Sequence, residues 1–294
     1  MGMKKYDSIT RYGKEDFTDA IIGKRIVVME KLDGANASFV ESNGRLEMFS
    51  RNTVVNESNT LRGFFGWASS KLDGISIVRD RIYFGEWLVP HHVQYVEDAY
   101  KEFYLFDIFD KETETYLDFD IVKYEAERIG LKMPKVFFDG VINNIEDIQQ
   151  YVGKSDIAKD YGEGIVVKNY NYSSKFKNHV FVKIVSEKFK EVKGIKQKPL
   201  ISSVDSLDVF IESVLTNARV DKLIHKKIDL GLLPERLTIS DTGVVLKELG
   251  SGIVDDIIEE ELDVLIALLK KRISRKTPLV VKSVISEKGL ACAL

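Results

Sequence analysis

Short apolar runs broken by turn signals dominate the first two thirds of the chain. Ile26–Glu30, Ala37–Val40, Leu46–Ser50, Ile82–Phe84, Phe103–Phe109, Gly164–Val167 and His179–Val185 read as strands. Wider apolar spacing predicts helices near 60–72, 95–101, 119–129 and 145–159. This mixture predicts an α+β domain rather than regular βαβ alternation. From about residue 200 the period lengthens. Leu207, Phe210, Ile211 and Val214 share one helical face, as do Ile258, Leu262, Leu265, Ile266 and Leu269. Two domains are expected, 1–193 and an all-helical 200–294, with the Lys-rich Gly194–Pro199 stretch as hinge.

Within this pattern one segment carries candidate chemistry. Glu30-Lys31-Leu32-Asp33-Gly34-Ala35-Asn36 lies between two strand-like runs and reads as strand, tight turn and strand, a first hairpin. Gly34 allows close approach of the backbone. A lysine carried into a pocket beside carboxylates is a candidate nucleophile, because burial lowers an ammonium pKa. Further polar residues sit at strand ends or inside apolar strands: Arg51 in Phe49-Ser50-Arg51-Asn52, Glu86 in Gly85-Glu86-Trp87-Leu88, Asp107 beside Phe106, Glu163 before Gly164-Ile165-Val166-Val167-Lys168, and Lys183 in Val182-Lys183-Ile184. Singly, each has a structural explanation; six in order over one domain point to a shared site.

Lys-x-Asp-Gly-x-Asn and the elements that follow it resemble the covalent nucleotidyltransferases: DNA ligases, RNA ligases and mRNA capping enzymes. Gly85-Glu86-Trp87-Leu88, Phe106-Asp107, Glu163–Lys168 and the helical tail are similar to the nick-sealing branch of RNA ligases, typified by the second RNA ligase of T-even phages. That resemblance implies an adenylation domain of packed antiparallel sheets with flanking helices, followed by a small helical domain. It implies ATP-dependent joining of 3′-hydroxyl and 5′-phosphate ends through a lysyl-AMP and an adenylated strand. A minimal DNA ligase and a single-strand or tRNA-break repair ligase are the alternatives.

Carried over by position, Lys31, Glu86, Glu163 and Lys183 are the catalytic set. Glu30 through its backbone, Asn36, Arg51, Glu86, Phe106 and Lys183 would hold the nucleotide, with Phe106 stacked on adenine. Asp33, Glu86 and Glu163 would hold Mg²⁺ or Mn²⁺ through water. The family has Lys-x-Lys in its last motif, whereas Lys183-Ile184-Val185 supplies one lysine. Either Lys183 serves alone or a lysine such as Lys168 or Lys188 reaches in. His91 and His92 have no assigned role.

Composition narrows the partners. A net charge of −3 is not the overall basic balance usual for nucleic-acid binding. Two basic clusters nonetheless offer phosphate-tracking surfaces for nicked or broken RNA, RNA–DNA hybrid or DNA: Lys188, Lys190, Lys193, Lys196 and Lys198, and Lys270, Lys271, Arg272, Arg275 and Lys276. One cysteine, Cys292, excludes an internal disulfide and multi-cysteine zinc sites. No segment reads as a signal peptide or membrane span. The expectation is an intracellular protein of a cell's cytoplasm, or of a phage acting there, with no obligate protein partner.

Overall fold

The computed structural model describes residues 4–13, 16–172, 179–186 and 206–291. Lys188 and the other lysines of the first basic cluster, and the Gly194–Pro199 stretch, lie outside them. The chain divides into two units. One comprises Met1–Lys190 with Ile224–Thr238, the other Glu191–Leu223 with Ile239–Leu294. The first unit thus takes back a helical segment that the sequence assigns to the second domain.

Unit 1 is built on two sheets. A five-stranded sheet contains β1 (Thr10–Arg11), β2 (Arg25–Lys31), β9 (Val136–Val141), β10 (Gly164–Asn169) and β11 (Val180–Val185), in the order β1-β11-β10-β2-β9. Only its β1–β11 pairing is parallel. A six-stranded antiparallel sheet contains β3 (Ala35–Ser42), β4 (Arg45–Ser50), β5 (Val54–Val55), β6 (Arg81–Trp87), β7 (Phe103–Asp110) and β8 (Thr115–Tyr116), in the order β5-β4-β3-β6-β7-β8.

Strand alternation assigns each face. Ile26, Val28, Ile165, Val167, Val180 and Val182 pack outward against α1 (Thr18–Ile21) and α4 (Glu146–Gln149). Ala37, Phe39, Tyr83, Phe103 and Leu105 pack against α2 (Phe64–Lys71) and α3 (Phe119–Ile129). Val40, Ile82, Phe84, Phe109 and Phe181 close the space between the sheets together with Tyr6.

The sheets are tied by a buried ion pair. Lys168 of β10 reaches Asp107 of β7 at 2.8 Å and donates to the Phe106 carbonyl at 2.8 Å. Tyr6 and Tyr170 also donate to Asp107, Tyr170 at 2.6 Å. Burial and the adjacent carboxylate hold both phenols well above their usual pKa, so they remain donors.

Most strands follow the apolar pattern; the exceptions have local causes. β9 escapes the sequence reading because none of its residues is fully buried and Asp139-Gly140 imitates a turn. α3 occupies the predicted span, capped by Asp118 accepting from the Asp120 N–H and stopped by left-handed Gly130. The helix expected near 95–101 is only a 3₁₀ turn over Glu97–Ala99. That near 145–159 is the single turn of α4, after which Gly153 at φ +81° turns the chain.

In unit 2, α5 (Ser206–Val214) buries Phe210 and Val214 but leaves Ile211 exposed. Fully buried Arg219 near the start of α6 (Asn217–Asp229) pairs with Asp256 at 2.6 Å and Glu261 at 2.9 Å, both on α8 (Gly252–Ala291). A short α7 (Thr242–Leu249) precedes α8. No helix among the described residues is long and apolar enough to cross a membrane.

Replacing Asp107 by Asn leaves the Lys168 ammonium without its counter-charge between the sheets. A loss of about 3–5 kcal/mol is expected, read from urea unfolding of wild type and variant.

Candidate active site

Lys31 is the last residue of β2, and its amine donates to Glu163 at 2.5 Å. The turn that follows is no hairpin. Residues Leu32–Gly34 carry the chain from one sheet into the other, since β2 and β3 belong to different sheets. The three-residue connection therefore sets Lys31 at the end of the inter-sheet space. Gly34 is required there: a Cβ would stand 2.6 Å from the Trp87 carbonyl oxygen. Its N–H donates to Glu86 at 3.0 Å.

Two further strands complete the cluster. Glu86 lies on β6 opposite Asn36 of β3, so those side chains share a face. Glu163 directly precedes β10, where Gly164 pairs with Lys31 on one side and Val185 on the other. A Cβ on Gly164 would meet the Ile184 carbonyl at 2.2 Å, so only glycine lets β10 and β11 approach this closely at Glu163. Lys183 of β11 lies close enough to pull down the carboxyl of Glu163. Val185, where the resemblance implies a second lysine, follows two residues later on the same face.

The electrostatics are acidic. Burial alone would lower the Lys31 amine, but Glu163, Glu86 and Asp33 outweigh it and hold the amine above an ordinary lysine. Burial raises Glu86 to about 7 against the opposing pull of Lys31, and burial also shifts the Glu163 carboxyl upward. Asp33 is the exception at about 2. Burial is overcome there by His91, Lys31 and the Val93 N–H, which donates to it at 2.8 Å.

His91, unassigned in the sequence, has a clear position. Its Nδ1 lies 3.6 Å from Asp33 and its Nε2 3.2 Å from Asp229, at the end of α6. Burial would lower its pKa, but the carboxylates of Asp229, which is hydrogen-bonded to it, and of Asp33 lift it to about 10 and keep the ring charged. Arg62 also reaches Asp229, at 3.3 Å. Asp33 is thus fixed from behind by the Ile224–Thr238 segment of unit 1. His92 is exposed.

Other expected residues stand apart from this cluster. Arg51 is exposed and donates to Ser8 at 3.3 Å. Phe106 sits at a register shift in β7, edge-on to Tyr6 at 4.9 Å with the Lys168 ammonium 5.2 Å from its ring. Lys168 is committed to Asp107 at 2% exposure, which removes it as a substitute for the missing second lysine. Lys188, the other substitute considered, lies outside the described residues.

Glu30, next to the lysine in β2, faces the other way. Its backbone N–H is taken by the Lys135 carbonyl at 2.8 Å, and strand alternation sends its side chain away from Lys31. There it is buried, with Oε1 lacking a hydrogen-bond partner among the described residues. Burial raises its pKa to about 7 despite a hydrogen bond with Ser155.

This arrangement defines a class: a two-sheet nucleotidyltransferase fold with a lysine and three carboxylates at one end of the inter-sheet space. The family model described as RNA ligase matches residues 24–185, and the chain belongs to the RNA ligase family. Among solved structures, an apo mutant of the Naegleria gruberi RNA ligase is 18% identical, covering 64% of this chain and 56% of that one, with a TM-score of 0.50. Another mutant of that ligase, with ATP and Mn, is 19% identical at the same coverage and a TM-score of 0.50. The chain therefore spans little more than half the length of these solved ligases, and the likeness is one of fold. No curated protein matches.

Glu30 gives a signed pH prediction. A carboxyl raised to about 7 in the fold binds its proton more tightly than in the unfolded chain. Its stabilising contribution is complete below the unfolded value near about 4.3 and is lost as pH rises toward 7, on the order of 3 kcal/mol. Glu30→Gln is expected to remove that part of the decline, so urea midpoints at pH 5 and pH 8 should lie closer together in the variant than in wild type.

Proposed function

We propose that this protein is an ATP-dependent RNA ligase that joins 3′-hydroxyl and 5′-phosphate ends, acting at nicks in duplex RNA or RNA–DNA hybrid. The observation carrying this reading is the Lys31 amine hydrogen-bonded to Glu163 beside Glu86 and Asp33, within the fold of its family. The Naegleria structure with ATP and Mn supports the nucleotide and the divalent ion.

In the first step Lys31 Nζ attacks the α-phosphorus of ATP. A nitrogen–phosphorus bond forms, the bond to the β-phosphate oxygen breaks, and pyrophosphate leaves. The amine loses a proton on the way, and Glu163 Oε2, already accepting from Nζ, is placed to receive it. A 5′-phosphate oxygen then displaces Lys31 to give the adenylated strand, and attack by the 3′-hydroxyl seals the end and releases AMP. Lys183, beside Glu163, stabilises negative charge developing on the α-phosphate. Phe106 stacks on the adenine, and Asn36 and Arg51 meet the phosphates of the adenylate and the strand.

Three carboxylates gather round the Lys31 ammonium here, and as oxygen donors they fit a hydrated divalent cation. Asp33, Glu86 and Glu163 would hold it through water, in keeping with the aqua shell Mg²⁺ retains. Among the described residues no group of His, Cys, Asp or Glu forms a direct cage. Such an ion supplies positive charge that offsets the carboxylates and the phosphates. The offset matters because an ordinary lysine is neutral in only about one molecule in 2,500 at pH 7, a cost of roughly 4.6 kcal/mol.

Incubation with Mg²⁺ and α-labelled ATP or GTP, then denaturing electrophoresis, tests the reading. An acid-labile, ATP-specific label is expected, abolished in Lys31→Ala and slowed about 10²-fold or more in Lys183→Ala. Its rate should climb with pH from 6 to 8, because the neutral amine is the nucleophile and its neighbours hold the pKa high. A folded, AMP-free protein that takes no label overturns the proposal. Equal sealing of all-DNA and RNA-ended nicks would replace it with the minimal DNA ligase.

A further inference from the structure

The helix α8 carries an apolar stripe that no described residue of its own unit covers. Ile258, Leu262, Ile266, Leu269 and Ile273 are 38–64% exposed. Their spacing of four, four, three and four residues keeps them on one side of a straight helix, and the same rhythm continues through Thr277 to Val280 and Val284. Asp256 and Glu261, which bind Arg219, lie about 100–120° round the helix from the stripe, one on each flank of the face that points away from it. The stripe is therefore not the face on which unit 2 packs its helices. Five large aliphatic side chains aligned over about 22 Å of helix are more than scattered surface apolars.

Charge along α8 selects the occupant. Asp255, Glu259, Glu260 and Asp263 precede the middle of the stripe, and Lys270, Lys271, Arg272, Arg275 and Lys276 follow it. The lysines and arginines are exposed, as are Asp255, Glu259 and Asp263. Both runs lie before Pro278, the residue at which the helix loses a backbone donor. A second copy laid parallel would set acid against acid and base against base. Laid antiparallel, with the crossing between Ile266 and Ala267, it places Lys270 of each copy opposite Asp263 of the other. The acidic run of each then follows the basic run of its neighbour. The helix is self-complementary in that orientation alone.

We propose that α8 pairs with α8 of a second copy of this chain, antiparallel, through the Ile258–Ile273 stripe. The closed two-fold contact uses the same patch on both subunits and leaves no open end for further growth. It stands apart from the ligase reading and needs no nucleotide.

Sedimentation equilibrium and light scattering of the full chain provide the test. Wild type is expected at twice 33.5 kDa in the micromolar range, with a melting temperature that rises with protein concentration. Ile266→Glu is expected to be monomeric with an unchanged circular dichroism spectrum, since the position is exposed. Asp263→Lys and Lys270→Asp should each weaken the dimer at least tenfold, and the two changes in one chain should restore it. A wild-type monomer at 100 μM, a mass that keeps growing with concentration, or a double reversal without rescue would each overturn the proposal. So would a monomer whose stripe binds nicked RNA duplex, loses it in Ile266→Glu and stays monomeric when bound.

Discussion

A lysine from one sheet buried against an aspartate of the other is the constraint on which the site depends. Lys168 and Asp107, with Tyr6 and Tyr170 completing the hydrogen bonds, fix β10 against β7 in a space otherwise filled by aromatic rings. Breaking such a pair costs far more than its net contribution to stability suggests, because the remaining charge has no water to turn to. Its value here is registry. Lys31 and Glu163 come from the five-stranded sheet and Glu86 from the six-stranded one, and they meet only if the sheets hold one spacing.

At the end of that space three carboxylates gather round one lysine. Lys31, with the charged His91 ring at Asp33 and Lys183 near Glu163, only partly offsets them, and the result is an amine held in its protonated form and two carboxyls pushed upward by burial. A nucleophile so placed is poorly reactive until further positive charge arrives, which ties reactivity to the binding of the metal and nucleotide proposed for this site. His91 supports the same arrangement from behind. It holds Asp33 through a charged ring anchored on Asp229, so the end of α6 becomes part of the wall behind the turn.

Helical unit 2 obeys a different logic. Its interior is specified by one buried guanidinium, Arg219, whose two carboxylate partners set the face of α8 that turns inward. The opposite face stays apolar and exposed, with its charges sorted by sign along the helix. Amphipathic spacing alone reads as a face that packs against its own domain, and in α8 it does not.

Much was legible in the sequence. The strand runs, the span of α3, and the order of Lys31, Glu86, Glu163 and Lys183 all follow from local spacing and residue chemistry. Periodicity reports which residues avoid water, so it identified the strands but not their partners. The turn after Lys31 therefore read as a hairpin, although it crosses between sheets. Glu30 read only as a backbone contact, and the burial of its carboxyl on the other face of β2 gave no signal. Lys168 read as a spare site lysine, and only the tertiary fold showed it spent on Asp107. His91 gave no signal, because its two partners lie 58 and 138 residues away in sequence. Long-range pairing decided these points, since the energy of a buried charge depends on which distant group the fold brings beside it.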